Sequence, residues 1–263
     1  MKSYLILSEN VQHPVTDNYS DILTITNDLV TQYSHLEKTR RPVPQAILNT
    51  MFRPLKFLSL QARKPTGLFG QYVMTSIFNS VNADLNSLVK EILNPEINDR
   101  ILEIGFGPGK LIHEMAEIIT EGIIEGVDFS DAMLNQASKI NRKYISSGAV
   151  KLQKGECSNL PYDNESFHKL CSVNTLYFLS ESDKCFLEKF RILKHGGKIV
   201  IGFRDDKQMN HLNLNRDIFN TYSLDEVVEL LTNSGFSNVQ IVKKDGKWLM
   251  SYCAVATKPT AQY

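Results

Sequence analysis

The chain has 263 residues, of which 42% are hydrophobic and 22% charged, and its 29 basic residues balance its 29 acidic ones. This length fits one large α/β domain with additions or two small domains, and the composition excludes a wholly disordered chain. Zero net charge argues against a nucleic-acid binder that works through bulk positive charge. No acid occurs between Glu37 and Asp84, however, so seven bases stand together there and the remainder carries 22 bases against 29 acids.

The four cysteines indicate neither a metal site nor a secreted protein. None belongs to a Cys-x-x-Cys pair, and no histidine stands at zinc-finger spacing from them, so no metal is predicted. The first residues lack the long apolar core of a signal peptide, and no stretch approaches the ~20 apolar residues of a membrane span. The sequence therefore predicts a cytoplasmic protein with reduced thiols.

The first part of the chain is polar and weakly periodic. Residues 1 to about 45 are rich in Ser, Thr, Asn and Gln, and Arg41-Pro42-Val43-Pro44 then interrupts the chain. Apolar residues at helical spacing predict a helix from Ala83 to Leu93, which Asn94-Pro95 ends.

From Arg100 onward, short apolar strands alternate with helices. The predicted strands are Arg100 to Gly105, Ile123 to Asp128, Val150 to Gln153, Lys169 to Val173 and Lys198 to Phe203. The predicted helices are Lys110 to Ile119, Asp131 to Lys143 with Ser130 as N-cap, Ser182 to Leu193, and one that a capping box opens at Ser223. Two further strand-like runs, Val239 to Lys243 and Trp248 to Ala256, are joined by the hairpin signal Asp245-Gly246. This order predicts an α/β fold in which helices cover both faces of a mostly parallel sheet and a C-terminal hairpin adds an antiparallel strand.

A glycine-rich turn links the first of these strands to its helix. The segment Glu103-Ile104-Gly105-Phe106-Gly107-Pro108-Gly109-Lys110 allows close approach of a ligand to the backbone, and amides at a helix start favour anionic groups. A P-loop is excluded because Leu111 follows the lysine. A dinucleotide fingerprint fits poorly because Lys110 stands where its third glycine belongs.

The pattern E-x-G-x-G-x-G, in this strand order, resembles the class I S-adenosylmethionine-dependent methyltransferases, and the resemblance implies their Rossmann-like sheet of seven strands. It places Asp128 on the ribose hydroxyls, Phe129 against adenine, and Glu156 on the adenine amino group, since Gly155 to Tyr162 is similar to a family loop. The residues that it assigns to S-adenosylmethionine are Glu103, Gly105, Phe106, Gly107, Gly109, Asp128, Phe129, Met133, Glu156, Cys157 and Asn174.

Asn174 and Tyr177 are candidates for positioning the acceptor. They follow the fourth strand of the domain, whose carboxyl end faces the cofactor crevice in such sheets. The alternative is that Tyr177 is a packing residue. Family members that methylate nucleic-acid amines also carry an Asn and a Tyr three apart, but the intervening prolines are missing here. Nucleic acid is therefore not the favoured substrate.

The resemblance covers roughly residues 62 to 258 and is strongest to the small-molecule branch that includes ubiquinone and menaquinone biosynthesis enzymes. It divides the chain into an N-terminal extension (1–61), a helical lid (62–95), a methyltransferase domain (96–258) and a tail (259–263). We expect Phe69 and Tyr72 of the lid to help cover the cofactor. The basic segment 38–83 has two interpretations: a lid with solvated bases, or peripheral contact with an anionic membrane surface.

The function predicted from the sequence is methyl transfer from S-adenosylmethionine to a small, lipid-like or anionic acceptor, with no obligatory metal. The first alternative is a silent protein that binds S-adenosylmethionine and acts as a regulatory partner. A weaker alternative is a nicotinamide-dependent oxidoreductase, which the G-x-G-x-G spacing disfavours. The sequence indicates no oligomeric state.

Overall fold

The computed structural model describes residues 6–8, 82–211, 219–246 and 249–260. The predicted lid residues Phe69 and Tyr72 lie outside these ranges, as does the basic segment apart from its last two positions. Trp248, the expected first residue of the last strand, is also outside them. No helix within the described ranges is long and apolar enough to cross a bilayer.

One mixed sheet organises the described residues. Its strands are β1 (Ile6–Ser8), β2 (Arg100–Ile104), β3 (Ile123–Asp128), β4 (Val150–Lys154), β5 (Phe167–Val173), β6 (Leu193–Phe203), β7 (Ser237–Lys244) and β8 (Ser251–Thr257). They lie in the order β1-β7-β8-β6-β5-β2-β3-β4. Every pairing is parallel except the two made by β8, which runs antiparallel to β6 and β7. The predicted seven-stranded sheet is confirmed, and β1 adds an unpredicted eighth strand beside β7.

Helices cover both faces of the sheet, as predicted. They are α1 (Ala83–Leu93), α2 (Lys110–Ala116), α3 (Asp131–Ile140), α4 (Arg142–Ser146), α5 (Ser182–Ile192), α6 (Asp206–His211) and α7 (Leu224–Asn233), with a 3-10 turn at Leu176–Phe178. One apolar cluster joins Leu85 of α1 and Leu111 of α2 to the sheet. A second cluster joins Phe186 of α5 and Leu231 of α7 to the opposite face. The sheet is therefore the buried middle layer.

Helix α1 packs directly on this sheet. Leu85, Val89 and Leu93 recur on one helical face and are fully buried, and Asn94 ends the helix in the left-handed conformation (φ 50°). The bounds match the sequence prediction. The boundary drawn at residue 95 between lid and methyltransferase domain remains a prediction.

Several element ends differ from those expected. Helix α2 stops at Ala116 instead of Ile119, and the expected helix from Asp131 to Lys143 is split at Asn141 into α3 and α4. The segment between the predicted helix that ends at Leu193 and the predicted strand that begins at Lys198 is part of β6, whose register against β5 shifts at that point. The last two strands are antiparallel as predicted, but β8 begins only at Ser251. For β6 and β8, the first residue of the strand depends on pairing with a neighbouring strand, which the local sequence pattern does not predict.

Candidate active site

The glycine loop lies between the carboxyl end of β2 and the start of α2. Gly105, Gly107 and Gly109 all have positive φ values, of 73°, 52° and 81°. A Cβ added at Gly107 would meet no atom of the described residues within 4 Å, so the backbone there is open toward that side. Asn141, which is fully buried, donates its side-chain amide to the Gly109 carbonyl oxygen at 3.0 Å and fixes the far side of the loop. This rigid loop leaves one face of its backbone accessible to a ligand.

Asp128 at the end of β3 holds the loop in place. The backbone N–H of Gly107 donates to its Oδ2, and that of Ser130 donates to its Oδ1, both at 2.9 Å. Burial raises the pKa of Asp128 to about 6, the two amide hydrogen bonds oppose that shift, and the charge of Glu156 adds to it. Ser130 also caps α3 by accepting from the Met133 N–H.

Glu103 on β2 is a buried carboxyl with an unsatisfied oxygen. Its residue is 2% exposed, and its Oε2 has no hydrogen-bond partner among the described residues. Burial raises its pKa well above the usual range, and the charges of Asp128 and Glu114 raise it further. An unsatisfied buried oxygen is costly unless a ligand supplies a donor. Glu103, Asp128 and the open face of Gly107 therefore fit a cofactor that carries an ammonium group and ribose hydroxyls.

Three further predicted cofactor residues have apolar side chains, of which two are buried and one is half-buried. Phe106 and Met133 are 4% and 2% exposed. The Phe106 ring packs so close to Gly126 that a Cβ there would lie 2.7 Å from it. We therefore expect a ligand to contact the main chain of Phe106 and not its ring. Phe129 is half-buried beside Asp128.

The loop after β4 closes another side of the crevice. The Gly155 N–H donates to the Asp128 carbonyl oxygen at 3.0 Å, which places Glu156 and Cys157 next to the end of β3. Glu156 is exposed, whereas Cys157 is half-buried. The structure thus brings the predicted acids at 103, 128 and 156 to one edge of the sheet.

Asn174 and Tyr177 lie at the carboxyl end of β5 and are linked to each other. The Tyr177 hydroxyl donates to Asn174 Oδ1 at 3.0 Å, while the Asn174 amide donates to Asn82 Oδ1 at 2.7 Å. Asn174 has a left-handed backbone (φ 52°), which asparagine tolerates better than most residues. Thr175 packs against Gly105, so this segment adjoins the glycine loop.

Tyr177 is only 3% exposed and its hydroxyl is fully engaged. Besides Asn174, it hydrogen-bonds the backbone N–H and the carbonyl oxygen of Arg204. Burial raises its pKa beyond the range of a proton-transfer group at neutral pH. These contacts are those of a positioning residue that orients Asn174. Its direct contact with an acceptor remains a prediction.

Sequence reasoning gave no role to Asn141, Arg204 or Lys189. Asn141 and Arg204 support the glycine loop and Tyr177, and the ammonium of Lys189 lies 3.0 Å from the Cys157 sulfur. A role for Arg204 could have been predicted, because this residue directly follows a strand whose carboxyl end faces the crevice. For Asn141 and Lys189 no motif exists, because their contacts depend on how distant helices pack.

Known proteins share this arrangement. The family described as "Methyltransferase domain" matches residues 101–197. The "Uncharacterized methyltransferase YdaC" of Bacillus subtilis is 27% identical over 183 residues, which cover 70% of this chain and 96% of that protein. The "Ubiquinone/menaquinone biosynthesis C-methyltransferase UbiE" of Geotalea daltonii is 27% identical over 40% of this chain and 45% of its own. A SAM-dependent methyltransferase from Thermotoga maritima shares the fold with a TM-score of 0.55, at 23% identity over 72% of this chain and 97% of that one.

The chain carries a methyltransferase domain over residues 101–197 and resembles the class I enzymes; it is an S-adenosylmethionine-dependent methyltransferase, and S-adenosylmethionine is its cofactor. This finding confirms the predicted class, fold and cofactor. It favours the enzyme over the two alternatives considered from the sequence, a silent cofactor-binding protein and a nicotinamide-dependent oxidoreductase.

Proposed function

We propose that this methyltransferase acts on a small acceptor, with a lipid-like or anionic part, held at the carboxyl ends of β5 and β6. The observation that carries the proposal is the hydrogen-bonded chain from Arg204 through Tyr177 and Asn174 to Asn82. This chain lies beside the glycine loop and fixes the orientation of the Asn174 carboxamide. A carboxamide has two N–H groups and two lone pairs on its oxygen, so one of each remains to hold a hydroxyl or amine of the acceptor.

An aromatic wall next to this chain supports an acceptor with an apolar part. The Tyr177 and Phe178 rings are 6.3 Å apart, and the Phe178 and Phe219 rings are 5.0 Å apart. Phe178 is half-buried, so part of its ring is available for contact. Relatives named for quinone methylation, from Geotalea daltonii and Roseiflexus castenholzii, act on acceptors of this kind. The acid-free segment 38–83 supports an acceptor that also carries negative charge.

The residues of the site contribute positioning and exclusion of water. S-adenosylmethionine, when bound, supplies an electrophilic methyl group, and Glu103, Asp128 and Glu156 are the residues proposed to hold it. In-line displacement needs the acceptor atom in a near-attack geometry, which a fixed carboxamide and an apolar wall provide. The chain therefore needs to orient the acceptor more than to activate it.

The decisive experiment is a methyl-transfer screen with isotopically labelled cofactor against quinols, phenols, amines and acidic lipids. Asn174→Ala should lower kcat/KM for the accepted substrate by about 100-fold. Because Asn174 is also a predicted cofactor residue, affinity for S-adenosylhomocysteine is measured separately, and its loss should be smaller than the loss of kcat/KM. Asn220→Ala is the matched control, because this exposed amide lies near Tyr177 without joining the chain. Full activity of Asn174→Ala on every acceptor in the panel would refute the proposed acceptor site.

For residues outside the described ranges, the proposal is supported by the sequence alone. We propose that Phe69 and Tyr72, within a lid spanning 62–95, cover the cofactor, so Tyr72→Ala should weaken cofactor affinity and turnover together. Flotation with anionic vesicles at low salt tests membrane contact by 38–83. Unchanged cofactor affinity and turnover in Tyr72→Ala would remove the lid role without touching the acceptor site.

A further inference from the structure

A buried lysine lies against a cysteine in the loop after β4. Lys189 on α5 is 2% exposed, its Nζ donates to the Cys157 Sγ at 3.0 Å, and the ammonium lies 4.8 Å above the centre of the Phe186 ring. The ion pairs of the described ranges include none between Lys189 and a carboxylate. A buried ammonium is costly without an anionic partner, and the nearest group that can become an anion is the Cys157 thiol.

The surroundings of Cys157 favour its thiolate. Interaction with the Cys185 side chain, followed by the charge and hydrogen bond of Lys189, lowers the pKa of Cys157 to about 6. Burial and the charge of Glu156 oppose this shift without overcoming it. An ordinary thiol has a pKa of ~8.5, so these surroundings increase the fraction of Cys157 that is thiolate at neutral pH. Because the sulfur is half-buried, a small reagent has a route to it.

Cys185 is the second sulfur of this group. It precedes Lys189 by one helical turn on α5, so both side chains project from the same face toward Cys157. The Cys157 sulfur lies 4.0 Å from the Cys185 carbonyl oxygen. Interaction with the Cys157 side chain and burial raise the pKa of the Cys185 thiol, which therefore keeps its proton. Cys185 is 3% exposed, which leaves Cys157 as the sulfur that meets solvent.

We propose that Cys157 is a peroxide-reactive thiol, with Lys189 as its positioning cation and Cys185 as its resolving partner. The Cys157 thiolate attacks one oxygen of hydrogen peroxide, the O–O bond breaks, and the departing hydroxide takes a proton to leave as water. The resulting sulfenic acid is attacked by the Cys185 sulfur. An S–S bond forms, the S–O bond breaks, and the oxygen leaves with the Cys185 proton as a second water.

This reactivity goes beyond methyl transfer. The two thiols lose two electrons to one peroxide, and neither the methyl group nor the acceptor takes part. The reaction is supported by the 3.0 Å contact between the Lys189 ammonium and the Cys157 sulfur, and by a second cysteine, Cys185, one turn before Lys189 on the same helix. Cys171 and Cys253, which are buried on β5 and β8, have no hydrogen-bonded lysine among the described residues and serve as internal controls.

Peptide mass spectrometry of the full reduced chain, after brief treatment with equimolar hydrogen peroxide, tests the products. A Cys157–Cys185 disulfide is the expected result, with Cys171 and Cys253 left reduced. In Cys185→Ser the sulfenic acid should persist on Cys157 and be captured by dimedone. Unmodified Cys157, or its over-oxidation with Cys185 still reduced in the wild-type chain, would overturn the proposal.

The role of the lysine is tested by alkylation rates at neutral pH. Lys189→Met should slow iodoacetamide labelling of Cys157 by about tenfold, because the variant has a smaller fraction of Cys157 as thiolate. This loss outweighs the higher intrinsic nucleophilicity of a thiolate whose pKa is higher. Lys184→Met, an exposed lysine on the same helix, should leave the rate unchanged. If Lys189→Met fails to fold, the pH profile of wild-type labelling decides instead. A midpoint near 6 supports the ion pair, and a midpoint near that of a free thiol refutes it.

Discussion

At the amino ends of β2 and β5, Asp99 lies 2.6 Å from the ammonium of Lys169. It also accepts a hydrogen bond from the backbone N–H of Glu96 at 2.7 Å. At the carboxyl ends of β2 and β3 the buried acids lack such partners: Glu103 has an unsatisfied oxygen, and Asp128 accepts from backbone amides alone among the described groups. Both carboxyl groups have raised pKa values, because burial disfavours their charged form and the fold provides no cation to offset it among the described residues.

The difference separates acids that stabilise the fold from acids held for a ligand. An acid whose partners are complete contributes to stability and has nothing left to offer a ligand. An acid buried without a cation destabilises the free protein, and only a bound donor recovers that energy. Substitutions at the amino ends should therefore change stability, and those at the carboxyl ends should change cofactor affinity. The predictions below test this difference between the two ends of the sheet.

The largest contrast is expected between two glycines at opposite ends of the sheet. A Cβ at Gly122 would lie 2.0 Å from the Asp99 carbonyl oxygen, so Gly122→Ala should lower the free energy of unfolding by about 4 kcal/mol. The methyl group of Gly107→Ala meets no atom in the part of the chain that the structure describes, so this change should cost about 1 kcal/mol for its left-handed backbone. It should nevertheless weaken cofactor binding at least tenfold. Urea unfolding and calorimetry separate the two effects, and weakened binding in folded Gly122→Ala would contradict this difference.

The second prediction concerns pH. The folded, cofactor-free protein binds the Asp128 proton more tightly than the unfolded chain, because the pKa is raised from 3.8 to about 6. The free energy of unfolding should therefore fall as pH rises from about 4 to about 6, by on the order of 3 kcal/mol from this group. Asp128→Asn should show a smaller decline over that range. Unfolding curves of the two proteins that stay parallel with pH would contradict the assignment.

Removing the charge of the paired acid should have an intermediate effect. Asp99→Asn should lower the free energy of unfolding by about 2 kcal/mol, because Lys169 keeps Asn94 and Glu96 as partners but loses its closest one. Affinity for S-adenosylhomocysteine should not change. The exposed Glu117→Gln is the control, with no expected change in either quantity. Loss of affinity in Asp99→Asn would place this acid in the cofactor site.

The smallest free-energy change is expected for Glu103→Gln. The substitution removes a buried carboxyl and keeps its shape, so the melting temperature of the cofactor-free protein at neutral pH should rise. Affinity for S-adenosylhomocysteine should fall about tenfold, or about 1.4 kcal/mol. A lower melting temperature with unchanged affinity would assign Glu103 to the fold and remove it from the site.

The sequence was sufficient where local rules decide structure. The bounds of α1 follow from the spacing of its buried leucines and from Asn94, and the capping box at Ser223 is present as predicted. The positions of Glu103 and Asp128 at strand ends followed from the strand order and the glycine motif. These features depend on residues close together in the chain.

The sequence pattern did not predict contacts between residues that are far apart in the chain. Lys189 and Cys157 are 32 residues apart, and Asp99 and Lys169 are 70 apart. A lysine at one position of a helix is ordinarily solvated, and only the rotation of α5 on the sheet turns this one inward. The sequence indicated no group that would lower the pKa of Cys157, and tertiary packing places the ammonium of Lys189 beside it.

The hydrogen bond between Asn82 and Asn174 crosses 92 residues of sequence. Each side chain satisfies a group on the other, so a change at one position leaves the other without its partner. Among related sequences the two positions should therefore vary together, with either both amides kept or both replaced. A residue just before α1 and one just after β5 would then evolve as a single unit.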